Sequence, residues 1–129
     1  MPQFRPADHS KGDANTIGGY MAVHDRAAAF EGSDGFSYSV EIVVDDTGDP
    51  AAPHAAYLLF VRWARIGAQS PEGHLETEYL ATAATADAAY QAVGGMSLNA
   101  VKRALDALIA ARAGSAASRR WWDAMRDEE

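Results

Sequence analysis

The chain contains no cysteine. That absence excludes disulfides, thiolate zinc sites, iron–sulfur clusters and thiol nucleophiles, so any metal would rest on imidazole and carboxylate ligands. No apolar run approaches the roughly 18 to 20 residues of a spanning helix, and residues 1–19 lack the charged start, apolar centre and small-residue cleavage pattern of a secretory leader. The expected setting is cytoplasmic, with no membrane partner. Positive charge is scarce as well: 11 Lys and Arg against 18 Asp and Glu give a formal charge of -7. Phosphate binding depends on a field of Lys and Arg, so a broad nucleic-acid surface is disfavoured, while a small local contact stays open. The deficit is uneven. Residues 1–81 hold twelve acidic side chains against Arg5, Lys11, Arg26, Arg62 and Arg65, whereas residues 82–129 hold six of each sign. Phosphate loops are missing too, because Gly18-Gly19 and Gly94-Gly95 carry neither the Gly-x-Gly-x-x-Gly nor the Gly-Lys-Ser/Thr pattern and read as punctuation.

What is present suits one compact domain: 129 residues, 48% of them hydrophobic, are enough for a single core and too few for two ordinary ones. Residues 1–18 are mostly polar and read as an irregular lead-in. A first strand is expected within residues 19–31, from Tyr20, Met21, Val23 and Phe30. Glu31 to Gly35 then form a hairpin turn. Residues 36–45 alternate cleanly, with Phe36, Tyr38, Val40, Ile42 and Val44 on one side, which is the pattern of a half-buried antiparallel strand. Residues 46–56 read as a long exposed loop. Residues 57–67 are apolar on both sides, Leu59, Val61 and Trp63 opposing Leu58, Phe60 and Ile66, as in a central strand covered on both faces. A turn and a fourth strand, from His74 to about Ala81, follow.

From Thr85 the period becomes helical. Thr85 caps a short helix ended by Gly94-Gly95, and Ser97 caps a second, in which Leu98, Val101, Leu105, Leu108 and Ile109 recur at three- and four-residue spacing before Gly114 stops it. The expected fold is therefore α+β: a four-stranded antiparallel β-meander from about Gly19 to Ala81, packed on one face by the C-terminal helices of residues 85–112, with the unpacked face or the tryptophan tail as the surface for self-association. The domain spans 19–114, with 115–129 as a helical appendage.

Three places offer chemistry. His74, Glu76 and Glu78 occupy every second position of one strand, either a solvated face or part of a divalent-metal or acid–base site. Alternate strand residues stand about 7 Å apart, a row and not a cage, so a metal would need a further ligand such as His24, Asp25 or His54. The solvated reading leads, with Glu76 or Glu78 opposite Arg62 or Arg65. His24-Asp25 is a second pair, but neighbours on a strand point to opposite faces, and no nucleophile elbow accompanies them. No catalytic set assembles from these parts, and no cofactor is expected. Third, Arg119-Arg120-Trp121-Trp122 near the end combines residue types enriched at interfaces. It docks on its own domain, on a second copy or on another protein.

Trp63-Ala64-Arg65-Ile66-Gly67, after two strands and before a helix, resembles the Trp-Gly-Arg core of WGR domains, with Ala64 where that family has its middle glycine. The similarity covers about residues 30 to 93. Members of that family pair a small antiparallel sheet with a helix, and in nuclear polymerases their Trp and Arg contact DNA ends. The resemblance implies that role for Trp63 and Arg65. Read without it, Trp63 is a core or interface aromatic and Arg65 a strand-end charge. The leading expectation is a non-catalytic binding or interaction domain that self-associates as a homodimer, using Trp63, Arg62 and Arg65, or Trp121 and Trp122.

Overall fold

The structure, a computed structural model, describes residues 7–64 and 71–127, with side chains described as far as Arg112. Asp8 caps a single helical turn, His9–Lys11, and α1 follows over Ile17–His24. The strands are β1 (Ala28–Glu31), β2 (Ser37–Asp46), β3 (His54–Trp63), β4 (Gly73–Glu76) and β5 (Ala81–Ala83). Two helices close the chain, α2 (Ala86–Gly94) and α3 (Leu98–Asp127). Strand order is β1-β2-β3-β4, all antiparallel, and β5 joins the same edge of β3 beyond β4. The α+β meander expected from the sequence is thus present, with its fourth strand split in two.

Residue chemistry explains the split. The Thr77 hydroxyl accepts the Leu58 N–H at 3.0 Å and donates to the Glu78 carbonyl at 2.8 Å, so a side chain stands in for the backbone ladder. Regular pairing stops at Leu59↔Glu76 and resumes at Ala56↔Ala81. Two residues of β3, Tyr57 and Leu58, therefore face four of the opposing chain, a bulge that turns Tyr79 away from the alternation the sequence suggests.

The first expected strand is only partly one. Thr16 caps a helix, its Oγ1 accepting from Gly19 N at 3.1 Å, and Met21 and Ala22, both good helix formers, continue that helix to His24. Asp25 ends it in the left-handed region at φ 51°, a conformation open to Asp at modest cost. Ile17, assigned by the sequence to the irregular lead-in, is fully buried in the core. The loop between β2 and β3 is shorter than expected, since the ladder runs from Ser37↔Trp63 to Asp46↔His54. α3 also passes through Gly114 instead of stopping there. A glycine costs a helix only about 1 kcal/mol relative to alanine, and the alanines around it are strong helix formers.

The core lies on one side of the sheet. Tyr38, Val40, Leu58 and Phe60 meet Ile17 of α1, Ala89 and Val93 of α2, and Val101 and Leu105 of α3. α1 and α2 cross at glycine: a Cβ on Gly18 would lie 2.9 Å from Gly94 Cα, so the backbones touch where side chains would hold them apart. No helix among the described residues is long and apolar enough to cross a membrane.

Candidate functional site

The other side of the sheet is the notable surface. Residues paired across antiparallel strands share a face, so Leu59 stands between Glu41 of β2 and Glu76 of β4, and Val61 between Ser39 and His74. Tyr57 and Trp63 continue the same row along β3. Tyr57, Leu59, Val61 and Trp63 are all half-exposed, and none belongs to the buried cluster beneath the helices. The sequence predicts cover on both faces of this strand, and among the described residues only one face is covered.

Two shallow hollows mark this open face. One, about 580 Å³, is floored by Tyr57, Leu59 and Val61 and edged by His74 and Glu76. The other, about 370 Å³, holds Tyr57 and Tyr79 among Asp45, Glu76 and Glu78. The two rings stand 6.0 Å apart, and Tyr79 donates its hydroxyl to Asp45 Oδ2 at 3.1 Å. Hydrogen bonding to Asp45, then removal from water, raises the Tyr79 phenol above its ordinary range. Loss of water, reinforced by the charges of Asp45 and Glu76, does the same for Tyr57. Both phenols therefore stay neutral donors beside carboxylates, in an apolar patch with a negative border.

The expected site residues fall in different places. His74 and Glu76 point to solvent from the open face, opposite Val61 and Leu59 and not opposite an arginine. His24 and Asp25 end α1, and His54 lies at the far end of β3, with Nδ1 3.4 Å from Asp46 Oδ1. No group of three His, Asp or Glu side chains suited to a metal forms among the described residues. The His24-Asp25 reading changes too, since the two sit at a helix end and not on a strand. Trp63 is anchored on the open face by its indole N–H, which donates to Ser39 Oγ at 3.0 Å. Arg62 faces the opposite way, its guanidinium 4.5 Å from the Phe36 ring centre and donating to the Glu72 carbonyl at 3.3 Å. It braces the β3–β4 end of the sheet and stands apart from the Trp63 row. Arg65 lies outside the described residues, as do the side chains of Trp121 and Trp122.

Tyr57, Tyr79, Asp45 and Glu41 are absent from the sequence's candidate list. The alternation of β2 and β3 carries the signal for Glu41 and Tyr57. Nothing in the local pattern signals Tyr79, because the Thr77 bulge reverses its side. A further concavity, about 470 Å³, lies between α1 and α2, lined by Gly12, Gly18, Gly19 and Gly94 with Lys11 and Tyr90. It follows from the glycine crossing, where no side chains fill the groove. No family model, curated protein or solved structure matches this chain.

Proposed function

We propose that this chain is a non-catalytic binding domain whose open sheet face takes a basic, apolar segment of a protein partner. One observation carries the reading: β3 is apolar on both sides and its Tyr57–Trp63 side has no described element packed on it. Leaving such a row in water forfeits roughly 1.5 to 3 kcal/mol for each large side chain that could be buried, and contiguous apolar patches of this kind mark interaction sites. The border supplies specificity. Glu41, Asp45, Glu76 and Glu78 favour a cationic partner, and the Tyr57–Tyr79 pair offers ring faces to Lys or Arg.

Contact with nucleic acid through Trp63 and Arg65, as WGR resemblance implies, is the competing reading, and this acidic border weighs against it. Methyl NMR of the full chain separates the two. An amphipathic Lys/Leu helical peptide should shift the Leu59 and Val61 resonances, while a Glu/Leu peptide of equal length and a short blunt DNA duplex leave them in place. Shifts caused by the duplex and abolished by Trp63→Ala would transfer the function to nucleic acid. Silence toward every probe would remove the open face as a binding surface.

A further inference from the structure

We infer that the uncovered edge of β2, residues 41–46, is a site of strand addition that takes an extended peptide in which basic and apolar residues alternate. The inference is independent of the open-face reading, since it rests on backbone groups and not on the Tyr57–Trp63 row. Its first support is topology. The outer edge of β3 is filled by two strands in line, β4 against residues 59–62 and β5 against residues 54–56. The outer edge of β2 is filled at one end only, where β1 pairs with residues 37–40. The chain enters β1 from the side of α1, turned by Asp25 at φ 51° and held by Arg26, which donates to the Tyr20 hydroxyl at 3.1 Å.

The second support is the direction of the backbone groups. In an antiparallel sheet, alternate residues turn their N–H and C=O to opposite neighbours. Gly32 N–H donates to the Phe36 carbonyl at 2.8 Å where β1 turns into β2, and Thr47 N–H donates to the Pro53 carbonyl at 2.9 Å where β2 turns into β3. Followed along the two registers from these bonds, the odd-numbered residues of β2 bond to β3 and the even-numbered ones face outward. The N–H and C=O of Ile42 and Val44 therefore point off the edge, and no described strand or loop bonds to them.

Side-chain chemistry names the occupant. An edge of β-branched residues invites pairing, and proteins blunt such edges with lysine, proline or a bulge. Residues 41–46, EIVVDD, contain none of these, and their ladder to β3 is regular. Twofold pairing of two copies would set the carboxylates of Glu41 and Asp45 opposite or diagonal to their counterparts, which like charge disfavours. A strand with Lys or Arg beside Glu41 and Asp45 on the open side, and apolar residues beside the half-exposed Ile42 and Val44 on the other, satisfies both sides at once.

Amide hydrogen exchange of the full chain, read by NMR with the end-capped peptide Lys-Val-Lys-Val-Lys-Val-Lys as probe, tests this. In the free protein the Val43 amide, bonded to β3, should be protected, and those of Ile42 and Val44 should exchange about tenfold faster or more. Saturating peptide should slow Ile42 and Val44 by about tenfold or more, and a Glu-Val peptide of equal length should not. In antiparallel addition the valines lie opposite Ile42 and Val44 with their own N–H groups turned to β2. N-methylation of the valines should therefore abolish binding, while N-methylation of the lysines leaves it. Glu41→Lys with Asp45→Lys should weaken binding by about tenfold or more, with unchanged far-ultraviolet circular dichroism. Ile42 and Val44 amides that are already protected in the free chain, or that ignore the peptide, overturn the inference, as does equal binding of the valine-methylated peptide. Protection of these amides, with Leu59 and Val61 methyls silent toward the Lys/Leu helix, upholds the edge and removes the open face; the converse result overturns the edge alone.

Discussion

At the scale of single residues, the covered side of the sheet turns on Tyr38 and Gly18. Tyr38 is 1% exposed and donates its hydroxyl to Asp34 Oδ2 at 2.6 Å. Burial first, then the Asp34 hydrogen bond and charge, pushes the phenol up to about 12 from its ordinary 10. A phenol held neutral in the folded state supports folding fully below the unfolded value near pH 10, and that support is lost as pH rises toward about 12. The denaturant midpoint should therefore fall across this window, and Tyr38→Phe should flatten much of the decline; an unchanged alkaline limb in the variant would contradict the assignment. Gly18 makes the opposite kind of contribution, through what it lacks. Gly18→Ala should destabilise by about 1–3 kcal/mol, as overpacking does, because the new methyl meets Gly94 backbone at 2.9 Å. Thermal denaturation checks it. Tyr38 was legible from alternation alone, whereas the Gly18–Gly94 contact joins residues 76 apart in sequence, and no local pattern encodes it.

Elements were legible where the hydrophobic period was long and undisturbed. β2 and the start of α3 follow their patterns closely, and Thr85 and Ser97 cap the helices expected of them, accepting from Ala88 N and Ala100 N at 3.1 Å each. The departures have local causes. In α1 the capping hydroxyl of Thr16 overrides a mixed apolar pattern that reads equally well as strand. In α3 a lone glycine among alanines is too weak a breaker. Between β4 and β5 one threonine hydroxyl replaces a ladder acceptor, and this displaces Tyr79 onto the open face. Thr77→Val keeps the shape and removes that oxygen, leaving the Leu58 N–H without its acceptor at a cost of about 1–3 kcal/mol. Urea denaturation should register the loss, and the Leu58 amide should exchange faster with deuterium. An amide whose exchange is unaltered would mean that the hydroxyl is not its acceptor.

For the whole molecule, the organising fact is a sheet with a covered side and an open side. The acidic excess of residues 1–81 is consistent with this division, since Glu41, Asp45, Glu76 and Glu78 all border the open face and no charged residue among those described is buried. Half of the candidate site was readable as a row of side chains, Leu59, Val61 and Trp63 with His74 and Glu76 beside them. Its openness was legible only in part: helices expected on one face leave the other unpacked, whereas the two-sided apolar pattern of residues 57–67 argues for cover on both, and an apolar stripe looks the same in sequence whether a helix or a partner covers it. Leu105→Asp, which places a charge under α3 at a fully buried position, should unfold the domain outright, as an uncompensated buried carboxylate costs several kcal/mol.

The most direct test compares two neighbours on β3. Leu58 is fully buried and Leu59, one residue on, is half-exposed on the opposite face. Denaturation midpoints of Leu58→Asp and Leu59→Asp, measured at a concentration where the chain is monomeric, should part widely. Leu58→Asp should fail to fold, and Leu59→Asp should stay within about 1 kcal/mol of wild type, the range of surface substitutions. Equal collapse of both variants would mean that the second face is covered within the molecule, and the binding face would be lost with it.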